Sequence, residues 1–107
     1  MNALMTESQL VSACLQYLNL RGIFAWRNNS TGIWDEKQGR YRRSKGMLGT
    51  ADILGVFPGG RALAVECKSA RGKTTLDQEV FLGLFRQAGG LAMVVRSIGE
   101  LMEALEP

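Results

Sequence analysis

The stretch GTADILGVFPGGRALAVECKS, residues 49–69, is strongly apolar, yet it carries Asp52 at the start of one hydrophobic run and Glu66 and Lys68 at the end of the next. Side chains alternate along a strand, so Glu66 and Lys68 share one face while Leu63, Val65 and Cys67 share the other. Two carboxylates brought together repel, and both remain ionised only beside a compensating cation. Hard Mg²⁺ or Mn²⁺ supplies it. Such ions prefer oxygen ligands and keep several waters, so Asp52, Glu66 and one backbone carbonyl, such as that of Cys67, suffice as protein ligands. Lys68 is then suited to orienting or deprotonating an attacking water, or to stabilising a phosphorane-like transition state. The chemistry indicated is phosphodiester hydrolysis. A Glu-x-Lys pair alone also arises as an ordinary surface ion pair; the combination with Asp52 gives it weight.

The convergence of the two acids depends on strand register. DILGVF and ALAVECK flank Pro58-Gly59-Gly60, a hairpin signal. A three-residue loop over 58–60 pairs Phe57 with Arg61 and brings Asp52 opposite Glu66. A two-residue turn at Gly59-Gly60 sets Asp52 opposite Cys67 instead, unless a bulge intervenes.

The remaining composition narrows the chemistry. The chain has 107 residues, 46% of them hydrophobic and 21% charged, which fits one domain over 1–107. It contains no histidine, so the commonest general base and transition-metal ligand are both missing. Cys14 and Cys67 lie within apolar patterns without disulfide or zinc spacing, and they read as packed thiols in a reducing compartment. No apolar run approaches the roughly 18 residues of a membrane span. MNALMTESQL lacks the layout of a signal peptide. A soluble, cytoplasmic protein is expected.

Other elements must position these groups. Thr6-Glu7-Ser8-Gln9 has the form of a capping box, and Leu10, Val11, Cys14, Leu15 and Leu18 continue it as a helical apolar stripe ending near Arg21-Gly22. Glu7 thereby falls at the edge of the buried face, although an acid at a helix N-terminus is also favoured by the macrodipole. IFAWR, residues 23–27, reads as a strand followed by turn residues. Thr75-Leu76-Asp77-Gln78 opens a second helix, with Val80, Phe81, Leu84, Phe85 and Ala88 expected inward and Gly89-Gly90 as its stop. LAMVVR, residues 91–96, reads as a strand buried on both faces, and Ser97-Ile98-Gly99-Glu100 caps a last helix with Ile98, Leu101, Met102 and Leu105 inward. The order is an α/β arrangement: a mixed sheet with helices packed on it.

The net charge of +3 is unevenly distributed. Five of the thirteen Lys and Arg residues, Lys37, Arg40, Arg42, Arg43 and Lys45, fall in KQGRYRRSK with Tyr41 among them. They lie in a long loop or irregular hairpin that runs from the first strand to the Asp52 strand, with its ends near the carboxylates. A solvated basic loop is one reading. Clustered cations also gain free energy by releasing counterions from a nucleic acid backbone, and a position beside a phosphodiester-hydrolysing centre favours that role. Arg27 and Asn28, at the end of the first strand, are further candidates for phosphate contact. No recognition helix or RNA-stacking motif is apparent, so binding is expected to follow shape more than base sequence.

Gly49-x-x-Asp52, Glu66-x-Lys68 and Gln78 on the following helix together resemble the PD-(D/E)xK nuclease superfamily, and within it the VRR-NUC (virus-type replication-repair nuclease) family. The resemblance extends to the first helix with Glu7, the Trp26-Arg27-Asn28-Asn29 segment and the Ala88-Gly89-Gly90 turn. It implies a restriction-endonuclease-like αβββαβ core with an additional C-terminal helix. It also implies metal ligation by Asp52 and Glu66, outer-shell support from Glu7, a catalytic Lys68, and an active-site role for Gln78 beyond its capping box. Ala51 departs from the proline that many relatives carry before the aspartate.

Stand-alone VRR-NUC proteins of this length resemble Holliday junction resolvases, which act as homodimers because two opposed nicks need two symmetry-related sites. A Mg²⁺- or Mn²⁺-dependent, structure-specific endodeoxyribonuclease acting on four-way junctions is therefore expected. The alternatives are a flap or branched-DNA nuclease, and a catalytically silent nucleic-acid-binding domain of the same fold.

Overall fold

The computed structural model describes residues 5–28, 33–42 and 48–106. Among these residues, three helices pack on a four-stranded sheet: α1 (Glu7–Leu20), β1 (Phe24–Arg27), β2 (Ile33–Asp35), β3 (Arg40–Arg42), β4 (Ile53–Val56), β5 (Ala62–Cys67), α2 (Leu76–Gln87), β6 (Leu91–Val95) and α3 (Ile98–Leu105). The sheet order is β1-β4-β5-β6, with β5 and β6 parallel and the other pairs antiparallel. The expected α/β class and helix, three strands, helix, strand, helix order are present. The basic segment adds a separate two-stranded hairpin, in which Ile33 pairs with Arg42 and Asp35 with Arg40.

The helix starts follow the sequence signals. Thr6 and Thr75 each accept the N–H of the residue three positions on, while Gln9 and Gln78 return a side-chain oxygen to the Thr6 and Thr75 N–H groups. Ser97 also caps its helix, but the Glu100 carboxylate reaches back to the Arg96 N–H at 2.7 Å. No helix among the described residues is long and apolar enough to cross a membrane.

The two faces of the sheet are packed differently. Leu10, Val11, Cys14 and Leu18 of α1, with Leu101 of α3, cover Ile53, Leu63, Val65, Cys67 and Val95. This is the larger part of the core. Cys14 and Cys67 are fully buried free thiols, and the hydrogen bond with Cys14, together with burial, holds the Cys67 thiol well above its ordinary range. On the opposite face, Leu82 with Phe81 and Phe85 packs on Ala51, Leu54, Ala64, Ala92 and Val94.

That second seat corrects the expected face of α2. Leu82 is buried, whereas Val80 and Leu84 are about half exposed and Ala88 is exposed. The cause lies at the first turn. A Cβ on Gly49 would stand 2.3 Å from the Asp77 carbonyl carbon and oxygen, so Gly49 lets the helix start rest directly on the chain before β4. That contact fixes the helix with Phe81, Leu82 and Phe85 toward the alanines of the sheet. Met102 is likewise exposed, unlike Leu101 beside it.

Candidate active site

The β4–β5 hairpin takes the longer of the two loop registers. The Phe57 N–H donates to the Arg61 carbonyl at 2.8 Å, and Gly59 and Gly60 both adopt positive φ, as the sharp reversal requires. Ile53 pairs with Val65 and Val56 with Ala62. Carrying this register one residue past the start of β4 places Asp52 opposite Glu66.

Asp52 is held there by its own side chain. Its Oδ2 accepts the Cys67 N–H at 2.9 Å, in the position that the Ala51 carbonyl would fill if the ladder continued. In extended chain the carbonyl of a residue projects to the same side as its N–H, so the Cys67 carbonyl also faces the Asp52 strand. The Ala51 methyl group is fully buried with Ala64, Leu82 and Ala92. The departure from proline at this position therefore fills a packed site.

Glu66 and Lys68 are 3% and 8% exposed. They lie on the α2 face of β5, as Ala64 does. Glu66 Oε2 is buried and has no hydrogen-bond partner. Burial, reinforced by the hydrogen bond and charge of Asp52, raises the Glu66 carboxyl to about 8; Lys68 opposes this shift and Glu7 adds to it. The four groups thus act on one another electrostatically.

Glu7 reaches this end of β5 from the opposite face of the sheet. Its Oε1 accepts the Ser69 N–H at 3.2 Å, and a Cβ on Gly72 would lie 3.1 Å from that oxygen. Arg96 secures the same turn by donating from Nη1 to the carbonyls of Ser69 and Gly72 at 2.7 and 2.5 Å. Sequence reasoning did not single out Arg96, Ser69 or Gly72. The available signal was Arg96's place one residue past β6, the parallel neighbour of β5.

The donor set suits a hard divalent cation. A buried carboxylate oxygen without a partner, beside a second carboxylate, is stabilised by a positive charge at that point. The surrounding donors are oxygen, since the Cys67 thiol lies on the other face in the α1 core. Among the described residues, no three or more His, Cys, Asp and Glu side chains cluster as a metal cage. Asp52, Glu66 and the Cys67 carbonyl would therefore leave coordination positions open to water and substrate.

The other candidates fall at varying distances from this centre. Gln78 is partly buried on the first turn of α2, and its Oε1 accepts the Thr75 N–H at 2.8 Å. Asn28 donates its N–H to the Asp52 carbonyl at 2.7 Å, and Arg27 is exposed beside it. Lys37 and Arg40 are exposed on the hairpin, where Arg40 Nε donates to Gln38 Oε1 at 2.8 Å. Arg42 lies on β3. The Arg42 side chain, together with Arg43 and Lys45, lies outside the described residues. The segments flanking the basic insertion both border the carboxylates, through Asn28 on one side and the chain from Gly49 to Asp52 on the other.

Two solved structures share this fold. One, described as a VRR_NUC domain, superposes with a TM-score of 0.67 at 21% identity over 95% of this chain and 100% of that one. Another, described as a VRR_NUC domain protein, superposes with a TM-score of 0.68 at 14% identity over 96% of this chain and 87% of that one. No family model matches the sequence, and no curated protein matches it. At these identities the likeness is one of fold, and it extends over nearly the whole chain.

Proposed function

We propose that this chain, which has the fold of VRR_NUC domains, is a divalent-metal-dependent endodeoxyribonuclease of that family acting on branched DNA, with four-way junctions as the preferred substrate. The observation that carries the reading is the pairing of Asp52 with Glu66, whose buried Oε2 has no partner, with Lys68 buried on the same face.

Bound Mg²⁺ or Mn²⁺ would polarise the scissile phosphate and lower the pKa of a coordinated water. Asp52, Glu66 and the Cys67 carbonyl would hold the ion. Glu7 fixes the Ser69 turn behind these ligands and adds negative charge from the outer shell. Lys68 contributes a cationic Nζ, which orients the attacking water or offsets charge developing on the phosphoryl oxygens. Gln78 fixes the start of α2 through its capping box, and in this reading its amide NH₂ is turned toward the site. Arg27, Asn28, Lys37, Arg40, Arg42, Arg43 and Lys45 contact the DNA backbone. Two nicks in opposed strands of a junction require two such centres, which favours a homodimer.

Purified protein incubated with Mg²⁺ or Mn²⁺ and labelled junction, flap and linear duplex tests the proposal. Symmetric paired nicks confined to the junction support resolution, and cleavage of flaps identifies a branched-DNA nuclease instead. Unchanged cleavage by Asp52→Ala or Lys68→Ala removes this site from consideration. Binding without cleavage under any metal identifies a silent binding domain.

A further inference from the structure

The edge strand β1 presents two aromatic rings on the face of the sheet that bears the carboxylates. Phe24 stands opposite Val56 and Trp26 opposite Leu54, and Leu54 stands opposite Ala64. Directly opposed residues share a face. The same register places Asn28 opposite Asp52. Trp26, Leu54 and Ala64 therefore form one row, and Asn28, Asp52 and Glu66 form the next, about 7 Å away along the strands.

Helix α2 covers the middle of this face through Leu82, Phe81 and Phe85. On β1, beyond Leu54, Trp26 remains 41% and Phe24 71% exposed. The two rings adjoin, with centroids 5.2 Å apart and a tilt of 46°. Ala25, between them in sequence, points to the other face and is buried. The rings thus fill no core; Trp26 lies in the row next to the candidate phosphodiester site, and Phe24 continues the platform one row farther along β1.

A second copy of the chain is a poor occupant. As a template for strand addition β1 is only four residues long, and it ends in the exposed Arg27, a charge of the kind that discourages edge pairing. Arg27 directly follows Trp26, and the chain carries a net +3, so the charge suits a polyanion. Aromatic rings bordered by cations bind unpaired nucleobases, because every base offers a π-face that stacks without regard to sequence.

We infer that Phe24 and Trp26 form a base-stacking platform, so that the substrate presents one or two unpaired nucleobases beside the cleaved bond. The position relative to the cleaved bond rests on the nuclease reading above; the platform itself does not. In continuous duplex the base faces are covered by their neighbours, so the platform selects nucleic acid that is single-stranded or unstacked at a branch.

The chain contains two tryptophans, so a Trp34→Phe background leaves Trp26 as the sole indole reporter. In chelator, without cleavage, a short oligothymidylate and a junction with an unpaired centre should quench Trp26 emission, whereas blunt duplex should not. Trp26→Leu, made in the native background, should weaken oligothymidylate binding about tenfold more than blunt-duplex binding, with its thermal midpoint confirming the fold. Absent quenching, equal quenching by duplex, or unchanged binding by Trp26→Leu overturns the inference. So does a shift from dimer to monomer in sedimentation of Trp26→Leu, which would place a second copy over the rings. Metal-dependent nicking is scored separately. Quenching without nicking keeps the platform and removes the nuclease, while nicking without quenching does the reverse.

Discussion

Asp52 Oδ2 accepts the Cys67 N–H at 2.9 Å, so a side chain from one strand completes the backbone ladder of its neighbour. Cys67 lies between Glu66 and Lys68. The hydrogen bond therefore fixes all three charged groups relative to one another, and β4 and β5 cannot slide past each other without breaking it.

Asp52→Asn and Asp52→Ala should separate the structural role of this carboxylate from its chemical one. Asparagine retains an oxygen that can accept the Cys67 N–H, so its urea midpoint should remain near that of the parent while metal-dependent cleavage falls by about a hundredfold or more. Alanine should lose cleavage and also about 1–3 kcal/mol of stability, because the part-buried Cys67 N–H is left unsatisfied.

The raised Glu66 carboxyl predicts an unusual pH profile for the metal-free protein. Its carboxyl is neutral in the folded chain up to about pH 8 but ionises near 4.5 in the unfolded chain. The folded state therefore binds more protons between these values, and the contribution to stability, fully present below about 4.5, is lost as pH rises toward 8. Denaturation in chelator across this range should show that decline, Glu66→Gln should flatten it, and Mg²⁺ or Mn²⁺ should restore stability at the alkaline end.

Gly49→Ala should be among the more damaging single substitutions in the chain. Gly49 has φ of +77°, and an added Cβ would stand 2.3 Å from the Asp77 carbonyl group and 2.6 Å from the Gln78 nitrogen. Strain and displacement of α2 should together cost about 2–4 kcal/mol, read from urea denaturation. Gly59→Ala, with a positive φ but nothing within 4 Å, should cost less.

The hairpin cations should act through charge alone. Lys37→Ala and Arg40→Ala should weaken junction binding and lower the slope of log K against log salt by about 0.9 for each phosphate that is no longer neutralised, with little effect on the melting midpoint. Both side chains are exposed, and removing them opens no core.

Much of the fold was legible because its signals are local. A threonine followed three residues later by glutamine satisfies the same two N–H groups wherever it starts a helix, so α1 and α2 could be placed at Thr6 and Thr75. Alternation along β5 likewise put Glu66 and Lys68 on one face whatever that face met.

Three-dimensional packing decided the rest. The glycine turn left two registers open, and the 57–61 closure chose the one in which Asp52 meets Glu66. Of the apolar residues expected inward on α2, Phe81 and Phe85 pack against the sheet while Val80, Leu84 and Ala88 do not, because apolar residues occur around much of that helix and Gly49 with the small side chains Ala51, Ala64 and Ala92 determined which of them could be seated. Arg96 gave no pattern in the sequence, and Trp26 entered only as part of the Trp26-Arg27-Asn28-Asn29 segment, since the surroundings of both side chains come from neighbours many residues distant. Residue types and spacing thus determined the chemistry available to this chain, while the pairing of strands and the docking of helices determined where that chemistry is gathered, because contacts between remote residues depend on the whole fold.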